Sequence, residues 1–246
     1  MTTPVLPVDL GDGVLAGFTV GNGVAAPPNL SVTVGDAEEA LRRRADLARW
    51  AGAPLAFIHQ VHGADVHIVR GPVLEPPSDA LPPADAVVVA GPSAAAVVLV
   101  ADCVPVLLAD PCAGVVAAVH AGRRGVVAGV VAAAVEAMTR LGASPAGLRA
   151  VVGPAICGAC YEVPAVLRDE VSAVVPGAGA TTGWGTPALD LPGAVRGQLR
   201  DAGVAHVASV GGCTLEDSRW YSHRGTAAGR PAGRLAGAVR TLRDGL

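Results

Sequence analysis

Apolar residues in this chain come in short, nearly unbroken runs, and each run stops at a polar or turn-forming residue. Residues 86–89, 95–101, 114–120, 150–152 and 204–210 are Val- and Ala-rich, which predicts short strands, the first three fully buried. Helical patterning appears elsewhere. Asp36 is placed to cap a helix running to about Trp50, residues 126–141 read as a helix ended by Gly142, and 164–174 and 191–202 read as two more. The proline-rich stretch 71–83 and the glycine-rich stretch 176–187 read as surface loops. Strands and helices intermingle without a dividing linker, so the expected class is mixed α and β (α+β), a single domain over residues 1–246.

Composition narrows the chemistry. Hydrophobic residues make up 51% and charged residues 16%, which is a globular balance, and only 3% are aromatic, so the core must pack through many small contacts. The formal net charge is −3 and no basic stripe exists beyond Arg42, Arg43 and Arg44, which argues against nucleic acid as a partner. The sequence has no lysine, which excludes a phosphate-loop lysine and a Schiff-base lysine and leaves arginine to bind anions. The first residues lack a charged segment followed by an apolar one, and no apolar tract approaches the roughly 20 residues that span a bilayer. A cytoplasmic protein without a membrane partner is expected. Five cysteines then read as free thiols or metal ligands.

Three metal-competent side chains stand where buried strands would stop. His62 follows a short apolar strand, Cys103 follows the run ending at Ala101 and Asp102, and His120 ends the run that begins at Gly114. Two imidazoles and one thiolate suit zinc, and three protein ligands leave a fourth position for water. Asp102 is placed to orient a ligand or move protons, but only if the strand breaks at Cys103, because neighbouring residues of a straight strand face opposite ways. Cys157 and Cys160 have C-x-x-C spacing, but without a second such pair they read as structural or incidental. The turn Gly122-Arg123-Arg124-Gly125 joins a strand to a helix, a plausible anion site. His223, Arg224 and Arg230 add polar groups near the end.

The ordered motifs resemble a known family. His62-Gly63 within QVHGADV, Ala101-Asp102-Cys103-Val104-Pro105, His120-Ala121-Gly122-x-Arg124-Gly125, Gly153-Pro154-Ala155-Ile156 leading to Tyr161-Glu162-Val163, Cys213-Thr214, YSHR and Gly229-Arg230 are similar to the polyphenol oxidase (laccase-like) family. Its members are assigned as purine nucleoside phosphorylases with adenosine deaminase activity, and some bacterial relatives as factors that edit peptidoglycan precursors. The resemblance implies layered mixed β-sheets covered by helices, and a zinc held by His62, Cys103 and His120. It implies adenosine, inosine, guanosine and methylthioadenosine as substrates, with phosphate as co-substrate. On that reading Asp102, Cys103, His120 and His223 are catalytic, and Arg44, Arg124, Arg224 and Arg230 bind substrate or phosphate. Departures from the family pattern fall at Gly21, Arg43, Arg123, Cys157 and Gly225. Three rival readings follow from the same residues: an amidase with Cys103 as nucleophile and His120 as base, a copper-dependent polyphenol oxidase, and a non-enzymatic zinc-binding module. Six histidines are few for a multicopper enzyme.

Overall fold

Alternate residues of the apolar runs go to two different cores, and this alternation builds the molecule. The computed structural model describes residues 2–71, 73 and 80–242. Strands β1 (Val5–Pro7), β2 (Val14–Thr19), β3 (Leu55–Ala56), β4 (Val66–Val69), β5 (Ala86–Ala90), β6 (Ala95–Val100), β7 (Val104–Asp110), β8 (Val115–Ala121) and β9 (Arg149–Val152) are followed by β10 (Gly179–Thr181), β11 (Pro187–Leu189), β12 (His206–Ser209) and β13 (Leu235–Thr241). They form a five-stranded sheet ordered β1-β2-β13-β6-β3, a six-stranded sheet ordered β12-β9-β7-β8-β5-β4, and the small hairpin β10-β11.

On the six-stranded sheet, Val87, Val89, Leu107, Ala109, Val116 and Ala118 face one core, shared with Val98, Val100 and Val239 of the other sheet. Their neighbours Val88, Val106, Leu108, Val115 and Ala117 face a second core under the helices. A strand buried on both faces has no polar side, which is why these runs are continuously apolar in the sequence. The helices are α1 (Ala37–Ala51), α2 (Arg123–Ala128), α3 (Val130–Arg140), α4 (Ala165–Val174) and α5 (Leu191–Asp201). Helix α1 covers the outer face of the five-stranded sheet through Leu47 and Ala51, and α3 and α5 cover the six-stranded sheet through Val131, Val135, Val195 and Leu199. The layers therefore run helix, sheet, sheet, helices. No helix among the described residues is long and apolar enough to cross a membrane.

Several expected boundaries hold: Asp36 caps α1 by accepting from the Glu39 amide at 3.0 Å. Others change. The helix expected over 126–141 is two helices, because Gly129 adopts φ 86°, a left-handed conformation that ends α2 and starts α3. The expected loop 176–187 carries strand β10 and the turn that leads into β11, its antiparallel partner. Residues 72 and 74–79 of the proline-rich stretch lie outside the described residues. Asp102, Cys103 and Pro105 read as the end of a strand; in the structure Asp102 and Cys103 are the step between β6 and β7, and Pro105 lies inside β7.

Candidate metal centre

The chain crosses from one sheet to the other at residues 101–103. Strand β6 ends in the five-stranded sheet at Val100, and β7 begins in the six-stranded sheet at Val104. The turn between them breaks the alternation of faces: Asp102 has φ 82°, so Asp102 and Cys103 are not the opposite-facing neighbours of a regular strand. Antiparallel pairing of β7 with β8 sets Pro105 opposite His120, and this register brings His120 beside Cys103. His62 completes the group from the loop after β3, with a left-handed φ of 61°. The sulfur of Cys103 lies 3.7 Å from His62 Nε2. The ligand atoms of His62, Cys103 and His120 all lie within 4.8 Å of one another, and the two imidazole rings meet edge to face.

A buried carboxylate that the sequence reading missed organises two of the three. Asp85, fully buried, accepts from the backbone amides of Val61, His62 and Gly63 at 3.2, 3.0 and 2.6 Å. It also accepts from His120 Nδ1 at 2.7 Å, which fixes the ring and leaves Nε2 for a metal. One carboxylate thereby holds the strained His62 loop and the His120 tautomer together. Its only signal in the sequence is a charge at the head of an otherwise apolar strand. Gly122 is equally required: a Cβ there would lie 2.6 Å from His62 Cδ2 and 3.2 Å from the Cys103 sulfur.

The electrostatics suit a ligand set. Burial opposes charging Cys103, yet hydrogen bonds and charge from His120 and His62 outweigh it and bring the thiol down to about 6. Burial likewise opposes charging His120, but Asp85 and Cys103 overcome it and raise the imidazole to about 9. Burial pushes the Asp85 carboxyl up, while His120 and the amides of Gly63 and His62 pull it down further, so it stays below its usual range. The shifts of Cys103 and His120 run in opposite directions, each group favouring the charged form of the other, and the pair is anchored on the Asp85 carboxylate. Two imidazole nitrogens and one thiolate, converging with one side open, fit a zinc ion in a catalytic arrangement.

Two cavities meet at this group. One, of about 360 Å³, is lined by Ser31, Thr33, Arg44, Gln60 and Arg234. The other, of about 210 Å³, is lined by Arg123, Arg124, Tyr161, Leu191 and Arg224. His62, Cys103 and His223 line both. Arg44 and Arg124 thus stand in different cavities. Arg44 is held over the Phe57 ring and donates to the Leu30 carbonyl at 2.9 Å. Arg224 lies over the Tyr161 ring and donates to the Glu162 carbonyl. Asp102 accepts from the Thr214 hydroxyl at 2.6 Å and from the Arg224 amide at 2.7 Å, so both its oxygens anchor neighbouring loops. Arg230 lines neither cavity; its guanidinium donates to the carbonyls of Thr214, Leu215, Asp217 and Trp220. Arg234, which the sequence reading passed over, enters the larger cavity, and burial lowers its pKa.

Residues 17–241 match the family described as multi-copper polyphenol oxidoreductase laccase. Over 240 residues the chain is 49% identical to a purine nucleoside phosphorylase of Streptomyces coelicolor, a match covering 94% of this chain and 97% of that protein. The fold is similar to the crystal structure of YlmD from Geobacillus stearothermophilus, with a TM-score of 0.79 and 28% identity over 94% of this chain and 92% of the other. It is also similar to that of a Neisseria meningitidis protein, with a TM-score of 0.80 and 29% identity over 98% and 99% of the two chains.

Proposed function

The chain belongs to the multi-copper polyphenol oxidoreductase laccase family, and from that premise we propose that it is a zinc-dependent purine nucleoside phosphorylase that also deaminates adenosine. The observation that carries this reading is the convergence of His62, Cys103 and His120 at the junction of two arginine-lined cavities. The name of the Streptomyces coelicolor relative supports it. Zinc is preferred to copper because, among the described residues, one thiolate and two imidazoles converge here within 4.8 Å, a donor set that suits a single ion with one open position.

Adenosine, inosine, guanosine and methylthioadenosine are the substrates on this reading, with phosphate as the second. The larger cavity takes the nucleoside, with Arg44 and Arg234 facing it, and Arg123, Arg124 and Arg224 hold phosphate in the smaller one. In phosphorolysis a phosphate oxygen attacks the anomeric carbon, the glycosidic bond breaks, and the departing base takes up a proton. His223 lines both cavities and is placed to deliver that proton. Bound zinc supplies Lewis acidity where the cavities meet. In deamination water adds at C6 of adenine and ammonia leaves, with His223 again moving the proton. Asp102, with both oxygens engaged, positions Thr214 and the turn carrying His223 and Arg224.

The test is to incubate zinc-loaded protein with adenosine, with and without phosphate, and to separate the products chromatographically. Adenine formed only with phosphate, and inosine formed in either case, both lost in Cys103→Ala, is the expected result. Absence of turnover despite a bound zinc sinks it. One alternative has its own support: the depressed thiol of Cys103 beside His120 is a workable nucleophile–base pair for an amidase. Turnover of a peptidoglycan-like amide that survives a chelator would favour that enzyme instead.

A further inference from the structure

A second group of metal-competent side chains lies apart from the first, and the fold assembles it from two distant loops. Cys157 and Cys160 sit in the loop after β9, and Cys213 and Glu216 in the loop after β12. One loop has C-x-x-C spacing and the other C-x-x-E, so each offers two donors at the separation that lets a single turn grip one ion. Parallel pairing of β9 with β12 sets the two loops side by side, and an isolated bridge between Ala155 and Cys213 continues that pairing into them. The four ligand atoms lie within 4.8 Å of one another.

The surroundings are those of a ligand cluster. The Cys157 amide points at the Cys213 sulfur at 3.4 Å, which orients that sulfur within the group. Cys160 and Cys213 are buried against Ile156, while Cys157 is partly open and Glu216 exposed, so an ion has an entry route. Cys157, Cys213 and Glu216 line one open cleft. The first loop is closed by its own turn, the Cys160 and Tyr161 amides donating to the Cys157 carbonyl, and the second is held by Arg230, which grips the carbonyls of Thr214 and Leu215. All the thiols of this group are free.

We propose that Cys157, Cys160, Cys213 and Glu216 form a second, structural site for a thiophilic divalent cation, zinc by preference. Three thiolates and a carboxylate give a closed, four-ligand set, in contrast to the open set at His62, Cys103 and His120. The ion ties together two loops that local sequence leaves independent. Thr214, next to Cys213, donates to Asp102, so the clip also steadies the wall of the first site.

The experiment uses Cys103→Ala protein, which removes the thiolate of the first site, loaded with Co²⁺ under reducing conditions. The expected spectrum has a thiolate-to-cobalt charge-transfer band and strong tetrahedral ligand-field bands at about one cobalt per chain. Adding the partly exposed substitution Cys157→Ser shrinks the charge-transfer band by roughly a third, as loss of one thiolate among three requires. Adding Cys112→Ser, which lies outside the cluster, leaves the spectrum unchanged. Absence of the band overturns the proposal, as does a band that is the same with and without Cys157→Ser. A Cys157–Cys160 disulfide in protein isolated and alkylated without air also overturns it.

Discussion

The two cysteine-containing groups of this protein show how one residue type is put to opposite uses. At the first, a single sulfur faces two imidazoles, and His120 and His62 draw the Cys103 thiol down to about 6 against the cost of burial. At the second, burial and the neighbouring sulfurs push the Cys160 thiol up, because nearby thiols offer no positive charge. The first group opens onto two cavities lined by arginines, whereas the second joins two loops. The difference teaches that coordination number follows from the number of donors the fold converges, and that an open position appears where cavities meet the donor set.

The comparison is broken most directly at Cys103. Cys103→Ala should reduce nucleoside turnover by more than the roughly 100-fold that loss of an outer partner brings, while metal analysis still finds zinc at the second group. Next comes Asp85→Asn, which removes the carboxylate shared by His120 and the His62 loop; zinc affinity or turnover should fall by roughly 10- to 100-fold, read by chelator competition and steady-state rates. The Asp85 pKa is depressed, so its contribution to stability is present above the ordinary carboxylate value and is lost as pH falls through its lower folded value. Acid denaturation of the Asp85→Asn variant should therefore depend less steeply on pH than that of the parent.

Cys157→Ser should act mainly on stability, lowering Tm by roughly 5 °C in calorimetry and turnover by no more than about threefold. A fall in turnover as large as that of Cys103→Ala would erase the proposed division of roles. The finest contrast is kinetic. In metal-stripped protein, alkylation of Cys103 should rise with a midpoint near pH 6, because the thiolate persists above that value and is protonated below it. Cys160 should react only at higher pH, since its thiol is pushed up. Site-resolved mass spectrometry of iodoacetamide adducts checks both, and coincident profiles would contradict the two environments.

Much of this was legible along the chain. Continuous apolar runs marked the strands buried on both faces, Asp36 marked the start of α1, and His62, Cys103 and His120 stood out as polar residues where such runs stop. Asp85 did not stand out, because a carboxylate at the head of a strand looks like any turn residue until its four donors are known. Strand β7 was obscured because the signal that ends a strand and the signal that changes sheets are the same: a short polar interruption.

Local pattern by itself determined the mixed class of the fold and the approximate extent of α1, α4 and α5 and of strands such as β5, β6 and β8, and it singled out His62, Cys103 and His120 as candidate donors, since those follow from side-chain periodicity and from what imidazole and thiolate can bind. Only the tertiary structure decided that Arg44 and Arg124 face different cavities, that Arg230 grips a loop, and that Cys157 and Cys160 meet Cys213 and Glu216. These are contacts between residues far apart in the chain, fixed by strand register and by the pairing of β9 with β12. Register depends on the whole set of packed neighbours, and no single segment carries it.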